Sequence, residues 1–258
     1  MISVLQLGSV DYPTGLRLQQ RLVELRKDAK IGDTLLLLEH TPVITLGRNA
    51  KAANIIASRE ELSRRGVEVF ECDRGGDVTF HGPGQLVAYP IFDLRGMAST
   101  DGKRKTLGAI EYVRRLEEVL IRTCGDFKIP TKRVCGLTGV WTSEGEEAKI
   151  AALGVHISRA VTSHGIALNV NTNLDYFNLI VPCGIRAKHV TSMAKELGKE
   201  LSLEEVAHSV SRNFGAVFQS QMLWLESLDD LSSPSVGVPL RTPGELRALR
   251  GEEDTSWA

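Results

Sequence analysis

The stretch RGGDVTFHGPGQLVAYPIF, residues 74–92, holds two runs of strand-forming residues on either side of a Gly-Pro-Gly turn. Val78–His81 and residues 86–92 are predicted to be strands, because β-branched and aromatic residues dominate both runs and turn residues separate them. A phosphate-binding loop would need a Gly-Lys-Ser or Gly-Lys-Thr and a following helix, and this stretch has neither. Strands that follow one another in this way favour a mixed or antiparallel sheet over regular βαβ alternation.

Hydrophobic spacing outward from this stretch predicts the remaining elements. Apolar residues three and four positions apart predict helices over residues 14–30 and 106–125, and Ser58 and Ser202 each begin an S-x-x-E capping box that opens a further helix. The other predicted strands cover residues 35–39, 43–46, 67–72, 139–142, 148–158 and 165–171. This order predicts one two-layer α+β (α/β) domain over residues 1–225, with a mixed, largely antiparallel sheet flanked by helices. An irregular tail over 226–258 should follow it.

Composition excludes several classes of protein. With 258 residues, of which 42% are hydrophobic, the chain can bury a sizeable core, and its net charge of −1 gives no global case for a nucleic-acid or membrane partner. The N-terminal residues lack the basic and long apolar regions of a signal peptide, so a cytoplasmic protein with free thiols is expected. The four cysteines form no CxxC pair and the six histidines have no zinc-motif spacing. We therefore expect neither metal nor cofactor.

The glycine pair after Arg74 is the first candidate for a binding site. Gly75 and Gly76 allow positive φ and close approach of the backbone, so their N–H groups could bind an anion or a carbonyl oxygen. Arg74 adds a guanidinium, and His81 adds a titratable ring. The alternative is a pair of ordinary turns with His81 facing solvent, and composition alone favours that alternative.

Lys149 is the second candidate. It opens a strand of small and apolar residues, EEAKIAALGVHIS, in which Ala151, Ala152 and Gly154 leave space for another group. Burying a lysine is costly unless it is paired or deprotonated. A lysine at a hairpin end, paired with nearby glutamates in solvent, fits the spacing equally well and is the more common arrangement.

Two cysteines compete as a nucleophile. Cys183 has Arg186, Lys188 and His189 close by in sequence, and Cys135 is flanked by Lys132 and Arg133. Nearby cations lower a thiol pKa, so local charge activates both equally, whereas most cysteines are simply small core residues.

Three stretches together resemble one family. RGGDVTFHGPGQLVAYPIFDL, TGVWTSEGEEAKIAALGVHISRAVTSHGIALNVNTNLDYFNLIVPCGI and VTSM, in this order, are similar to the lipoyl(octanoyl) transferases. The resemblance covers about residues 35–196. It implies the fold shared with lipoate and biotin protein ligases. It also implies transfer of an octanoyl group from acyl carrier protein to a lysine of lipoyl domains, namely those of 2-oxoacid dehydrogenases and the glycine cleavage H protein.

The resemblance also implies roles for individual residues. Cys183 falls at the family's nucleophile and Lys149 at its catalytic lysine, with His81 as an assisting catalytic group; Cys135 has no counterpart in the pattern. The implied substrate-binding residues are Arg74, Gly75, Gly76, Asp77, Val78, Thr79, Phe80, His81, Ala152, Leu153, Gly154, Gly165, Ile166 and Ala167. Phe80 departs from the pattern, which often has tyrosine there. An ATP-dependent ligase of the same fold and a non-catalytic binding module are the alternatives.

The donor and acceptor proteins are expected to be acidic, so a basic docking surface is expected. Its candidate members are Arg74, Lys103, Arg104, Lys105, Arg186 and Lys188.

Overall fold

The computed structural model describes residues 1–99, 105–181 and 189–232. Its helices are α1 (Tyr12–Lys27), α2 (Arg59–Arg64), α3 (Ala109–Asp126), α4 (Met193–Leu197) and α5 (Leu203–Phe218). Its strands are β1 (Ile2–Val10), β2 (Asp33–His40), β3 (Val43–Leu46), β4 (Glu68–Glu71), β5 (Val78–His81), β6 (Gln85–Ile91), β7 (Thr131–Val134), β8 (Leu137–Thr142), β9 (Ala148–Ser158), β10 (Val161–Asn169), β11 (His189–Val190) and β12 (Met222–Trp224).

The main sheet has the strand order β12-β1-β2-β6-β10-β9-β8-β7, with β11 beside β9. β1 pairs in parallel with β2 and with β12, and β11 pairs in parallel with β9. The pairs from β2 through β6, β10, β9 and β8 to β7 are antiparallel. The predicted mixed, largely antiparallel sheet is therefore confirmed. β3, β4 and β5 form a second, small sheet with the order β4-β3-β5.

Helices cover both faces of the main sheet. Leu35 and Leu37 of β2 belong to the hydrophobic cluster beneath α3 and α5, whereas Leu36 and Leu38 belong to the cluster beneath α1. Successive side chains of a strand point to opposite faces, so a strand covered on both faces must be apolar at every position. This double burial explains the uninterrupted leucine run of β2.

Side-chain caps fix the helix starts. Ser58 Oγ accepts the Glu61 N–H at 3.2 Å and Ser202 Oγ accepts the Glu205 N–H at 3.3 Å, which confirms both predicted serine N-caps. α1 begins earlier than predicted, because Asp11 accepts the Thr14 N–H at 2.9 Å and so caps the helix.

The Gly82–Gly84 turn carries the chain from one sheet to the other and does not close a hairpin. β5 pairs with β3 in the small sheet, whereas β6 pairs with β2 and β10 in the main sheet. Gly84 has a φ of 78°, and a Cβ there would lie 2.6 Å from the Asn171 carbonyl oxygen, so only glycine fits. Two separately paired sheets thus meet at this turn.

The chain continues to pack on the domain beyond residue 225. The Leu225 N–H donates to the Val4 carbonyl at 2.9 Å, and Leu231 is buried in the cluster beneath α1. Described residues after 225 thus still contact the domain, and the domain boundary placed at residue 225 stays a prediction. None of the helices in the described part of the chain has the length and apolarity needed to cross a bilayer.

Candidate active site

A cavity lies where the two sheets meet. The predicted substrate-binding residues that line it are Arg74, Gly76, Asp77, Val78, Thr79, His81, Ala152, Leu153, Gly154, Gly165, Ile166 and Ala167. Residues that sequence reasoning did not identify complete the wall: Tyr12, Val87, Tyr89 and His164. We call this space the acyl cavity, after the acyl group that the sequence resemblance implies. The sequence signals at 74–81, 152–154 and 165–167 therefore meet in space.

Small residues create the acyl cavity. Gly154 of β9 pairs with Gly165 of β10, and Ala152 pairs with Ala167 two positions along. A Cβ at Gly154 would lie 2.8 Å from the Gly75 carbonyl oxygen, so a larger residue would push away the loop that forms the opposite wall. Pairs of small residues thus keep the space open.

Gly75 and Phe80 do not line the acyl cavity. The Gly75 N–H donates to the Val155 carbonyl at 2.9 Å and fastens its loop to β9. Phe80 lies in the hydrophobic cluster of the small sheet, where its ring stacks on Tyr176 with centroids 4.6 Å apart. Both residues support the wall from behind.

Arg74 is buried, which corrects its expected place on a docking surface. Its guanidinium donates to the Thr45 carbonyl at 2.7 Å, to Thr45 Oγ1 at 2.8 Å and to the Gly75 carbonyl at 3.0 Å. These neutral acceptors lie within the protein, so the cation fixes the 74–77 loop and cannot meet a partner protein. Of the other expected docking residues, Lys105 is exposed, and Lys103, Arg104, Arg186 and Lys188 lie outside the described residues.

A chain of amides fixes the proton on His81. The Thr191 carbonyl can only accept, so Asn169 Nδ2 donates to it at 2.9 Å and Asn169 Oδ1 accepts from Gln85 Nε2 at 2.8 Å. Gln85 Oε1 is then the acceptor for His81 Nδ1–H at 2.7 Å. We therefore assign the neutral tautomer with a bare Nε2, which has no hydrogen-bond partner among the described residues.

Burial keeps His81 neutral. Desolvation first, and then the charges of His40 and Arg74, lower the pKa of His81 to about 3. The ring therefore accepts a hydrogen bond through Nε2 near neutral pH and cannot donate a proton there. His81 is therefore not the solvent-facing turn histidine that was considered as the alternative.

Aromatic residues from three elements surround His81. The Tyr12 ring stacks on it with centroids 6.4 Å apart. His40 Nδ1–H donates to the Val10 carbonyl at 2.7 Å, so its Nε2 accepts the Tyr89 hydroxyl at 2.7 Å. Burial also lowers the pKa of His40. These residues are far apart in the sequence, and no motif joins them.

Lys149 lies in a second hollow, of about 760 Å³, which we call the outer hollow. It shares Gly76, Asp77 and Leu153 with the acyl cavity. Only 9% of Lys149 is exposed, and Nζ lies 5.4 Å from the centre of the Trp141 ring, a cation–π distance. The solvent-exposed hairpin lysine considered as an alternative is therefore wrong.

Gly139 leaves the space that the Lys149 side chain occupies. Its φ is 133°, and a Cβ there would lie 2.5 Å from Lys149 Cε. The Gly139 N–H donates to the fully buried Glu117 carboxylate at 3.2 Å, which ties this position to α3. Gly139 thus positions the lysine from the neighbouring strand.

Cys183 lies outside the described residues, so its contact with Lys149 stays a prediction. The described residues on both sides of the 182–188 segment are linked by hydrogen bonds or strand pairing to residues that line the outer hollow. The Val181 N–H donates to the Asn54 carbonyl at 2.7 Å, and Asn54 Nδ2 donates to Asp77 Oδ2 at 2.6 Å. After the segment, Val190 pairs with Lys149.

The other cysteines occupy three different settings. Cys124 lies on the buried face of α3, as predicted, and burial raises its pKa to about 12. Cys72 is half-buried, with its thiol 3.4 Å from the Leu46 carbonyl. Cys135 is exposed, and its neighbour Gly136 lines the outer hollow. Geometry alone therefore leaves Cys135 a competitor that experiment must exclude.

The buried histidines predict acid-sensitive folding. Between about pH 3 and 6.5, His81 is protonated in the unfolded chain but neutral in the folded chain. The free energy of unfolding should therefore fall as pH falls through this window. Urea unfolding at about pH 7 and about pH 5 measures the change. His81→Gln should reduce this pH dependence, because it removes one of the lowered groups. An equal pH dependence in both proteins would contradict the assignment.

The chain matches one protein family model and is similar in sequence to proteins named octanoyltransferase. Residues 11–215 match the family model of the lipoyl protein ligase A/B catalytic domain. The chain is 65% identical over 253 residues to an octanoyltransferase of Koribacter versatilis, with 98% of each chain covered. It is 59% identical over 236 residues to an octanoyltransferase of Acidobacterium capsulatum, with 90% of this chain and 96% of that protein covered.

Solved structures share the fold at low sequence identity. A bipartite lipoate protein ligase from Thermoplasma acidophilum aligns with a TM-score of 0.66 and 17% identity, covering 88% of this chain and 87% of that one. A lipoate-protein ligase A bound with ATP aligns with a TM-score of 0.67 and 15% identity, covering 88% and 89%. Both confirm the fold implied by the sequence resemblance. By its family model and its relatives, the chain belongs to the lipoyl protein ligase A/B catalytic family and, within it, to the octanoyltransferases, which are acyltransferases.

Proposed function

We propose that this enzyme transfers an octanoyl group from octanoyl–acyl carrier protein to the lysine of lipoyl domains, through a thioester on Cys183. The acceptors are the lipoyl domains of 2-oxoacid dehydrogenases and the glycine cleavage H protein. One observation carries the proposal: a cavity lined mainly by small and apolar residues opens beside a hollow that holds a buried lysine. The first fits an acyl chain and the second fits the chemistry at its carbonyl group.

The first step forms the acyl-enzyme. The Cys183 thiolate attacks the thioester carbonyl carbon of the donor, and the carrier thiolate leaves. The Lys149 ammonium stabilises the Cys183 thiolate and then gives its proton to the departing carrier sulfur. One thioester replaces another of nearly equal energy, so no ATP is needed.

The second step forms the amide. The acceptor lysine attacks the Cys183 thioester carbonyl as a neutral amine, and the Cys183 thiolate leaves. Neutral Lys149 takes the proton released by the attacking amine and is again an ammonium for the next cycle. An amide is more stable than a thioester, so this step runs downhill.

His81 orients substrate in this scheme and does not act as an acid. Its Nε2 is bare near neutral pH and the residue lines the acyl cavity, so Nε2 can accept a hydrogen bond but cannot supply a proton. Lys149 is the proton carrier of the proposal.

Acidic partner proteins would meet cations at the rim of the outer hollow. Arg48 and Lys51 are exposed and flank Asn49, which lines that hollow, and the Lys51 N–H donates to Asp77 at 3.2 Å. They take the place of buried Arg74 in the docking surface, beside the candidates at 103–105, 186 and 188. We place the enzyme in the cytoplasm, in keeping with the free thiols and a reactive cysteine.

The test is acyl transfer without ATP. Incubation with octanoyl–acyl carrier protein should add one octanoyl group, seen by intact-mass spectrometry and mapped by peptide analysis to Cys183. The alternative is an ATP-dependent ligase, because a lipoate ligase that binds ATP shares the fold. No adduct from the carrier, together with ATP-dependent use of free octanoate, would establish that alternative.

A further inference from the structure

Three spaces lie in a row along β9. Lys149 lines the outer hollow, Gly154 lines the acyl cavity, and His156 and Ser158 line a third space of about 500 Å³ beside α1. A strand rises about 3.3 Å per residue, so Gly154 lies about 3 Å and His156 about 10 Å along the strand from Leu153, which lines both the outer hollow and the acyl cavity. An acyl chain that enters past Leu153 and extends along β9 therefore points towards the third space.

His164 is the residue shared by the acyl cavity and the third space. Its side chain is buried, with 3% exposed. Its edge meets the face of Tyr89, with centroids 6.3 Å apart and planes at 89°. The imidazole therefore stands as a partition between the two spaces.

Two hydrogen bonds hold this partition in place. His164 Nε2 lies 2.7 Å from Asp73 Oδ1, and the His164 main-chain N–H donates to Gln19 Oε1 at 2.7 Å. Burial lowers the pKa of His164, so the neutral ring donates Nε2–H to the carboxylate. Swinging the ring away would break the bond to Asp73, so the partition resists displacement.

We propose that His164 sets the longest acyl chain the enzyme accepts, by closing the inner end of the acyl cavity. The inference rests on the proposed octanoyl transfer and adds a residue that determines its specificity. A chain longer than the cavity must either displace the imidazole or leave methylene groups in water. With the ring removed, extra methylene groups would enter the third space and pack against its apolar residues Leu16 and Val23, each strengthening binding by at most about fourfold.

The test compares octanoyl-, decanoyl- and dodecanoyl–acyl carrier protein as donors. For the wild-type enzyme and for His164→Ala, the rate of acyl-enzyme formation is followed by intact-mass spectrometry. The rate ratio of decanoyl to octanoyl donor should rise by up to about fifteenfold in the variant, because two more methylene groups find space. Because φ at His164 is 54°, His164→Asn provides a second small residue that tolerates this backbone better than alanine.

His156→Ala is the matched control. His156 Nδ1 lies 3.4 Å from the same Asp73 carboxylate, but His156 lines only the third space, so its variant should keep the wild-type ratio. A wild-type ratio in both folded His164 variants would overturn the inference, as would an equal rise in His156→Ala. A wild-type enzyme that takes no acyl group from any donor would instead refute the proposed function.

Discussion

Cys183→Ser should lower the rate of octanoyl transfer by roughly three orders of magnitude or more. A thiol is partly ionised near neutral pH and attacks as the thiolate, whereas a serine hydroxyl stays protonated unless a strong base activates it. Serine keeps the size of the side chain, so the loss would report chemistry and not packing. Transfer to a lipoyl domain, followed by mass spectrometry under single-turnover conditions, measures it.

Cys135→Ala is the necessary companion to this variant. Cys135 is exposed next to a residue of the outer hollow, so the geometry does not exclude it as the nucleophile. Its variant should transfer at close to the wild-type rate. If Cys183→Ser were as fast as wild type, or if a folded Cys135→Ala lost the acyl adduct, the nucleophile would be misassigned.

Lys149→Met should slow transfer by roughly 10²–10⁴-fold, the usual contribution of a positioned proton donor and acceptor. Methionine fills similar space beside Trp141 without a charge, so the core around the outer hollow should stay intact. Loss of the ammonium should also raise the pH needed to ionise Cys183. The rate of Cys183 alkylation by iodoacetamide as a function of pH measures this second effect. An unchanged alkylation profile would remove Lys149 as the activator.

Gly139→Ala offers a milder version of the same experiment. The new methyl group would press on Lys149 Cε, so the alkylation profile should move in the same direction as in Lys149→Met, but less far. The positive φ of Gly139 adds backbone strain. Gly145→Ala, at a φ of 64° with nothing within 4 Å of an added Cβ, is the control for strain at a positive φ without a contact. Equal profiles in the two glycine variants would mean that strain, and not the contact with Lys149, causes the shift.

The sequence predicted those parts of the fold that local patterns determine. Val43–Leu46, Val78–His81 and Ala148–Ser158 were predicted with the bounds they have, and both serine caps are present. β1 was not predicted. Its apolar half is followed by exposed residues, a glycine with a φ of 65° and a register shift, so neither a strand nor a helix period runs through it.

The division into two sheets could not be predicted from local sequence either, because strand pairing depends on residues that are distant along the chain. Val78–His81 and Gln85–Ile91 look like a hairpin in the sequence, yet they pair with different neighbours. Local charge likewise suggested a surface role for Arg74, whereas its partner Thr45 lies 29 residues away. Such partners cannot be read from spacing along the chain.

The candidate site was likewise predicted only in part. The resemblance identified the loop at 74–81 and the small residues of β9 and β10, which do line one cavity. It did not identify His164, whose main-chain N–H is held by Gln19, 145 residues away. Nor did it identify the amide chain that fixes His81, in which Gln85 and Asn169 are 84 residues apart.

The turn at Gly82–Gly84 has a consequence for how this enzyme class can diversify. Because the chain changes sheets there, the acyl cavity has one wall on β5 and another on β9 and β10, and no hydrogen-bond ladder joins the two walls. A substitution on one wall can therefore reshape the cavity without disturbing the pairing behind the other. The scaffold can therefore stay the same while the cavity changes, in keeping with a fold that this chain shares with two lipoate ligases at 15–17% identity.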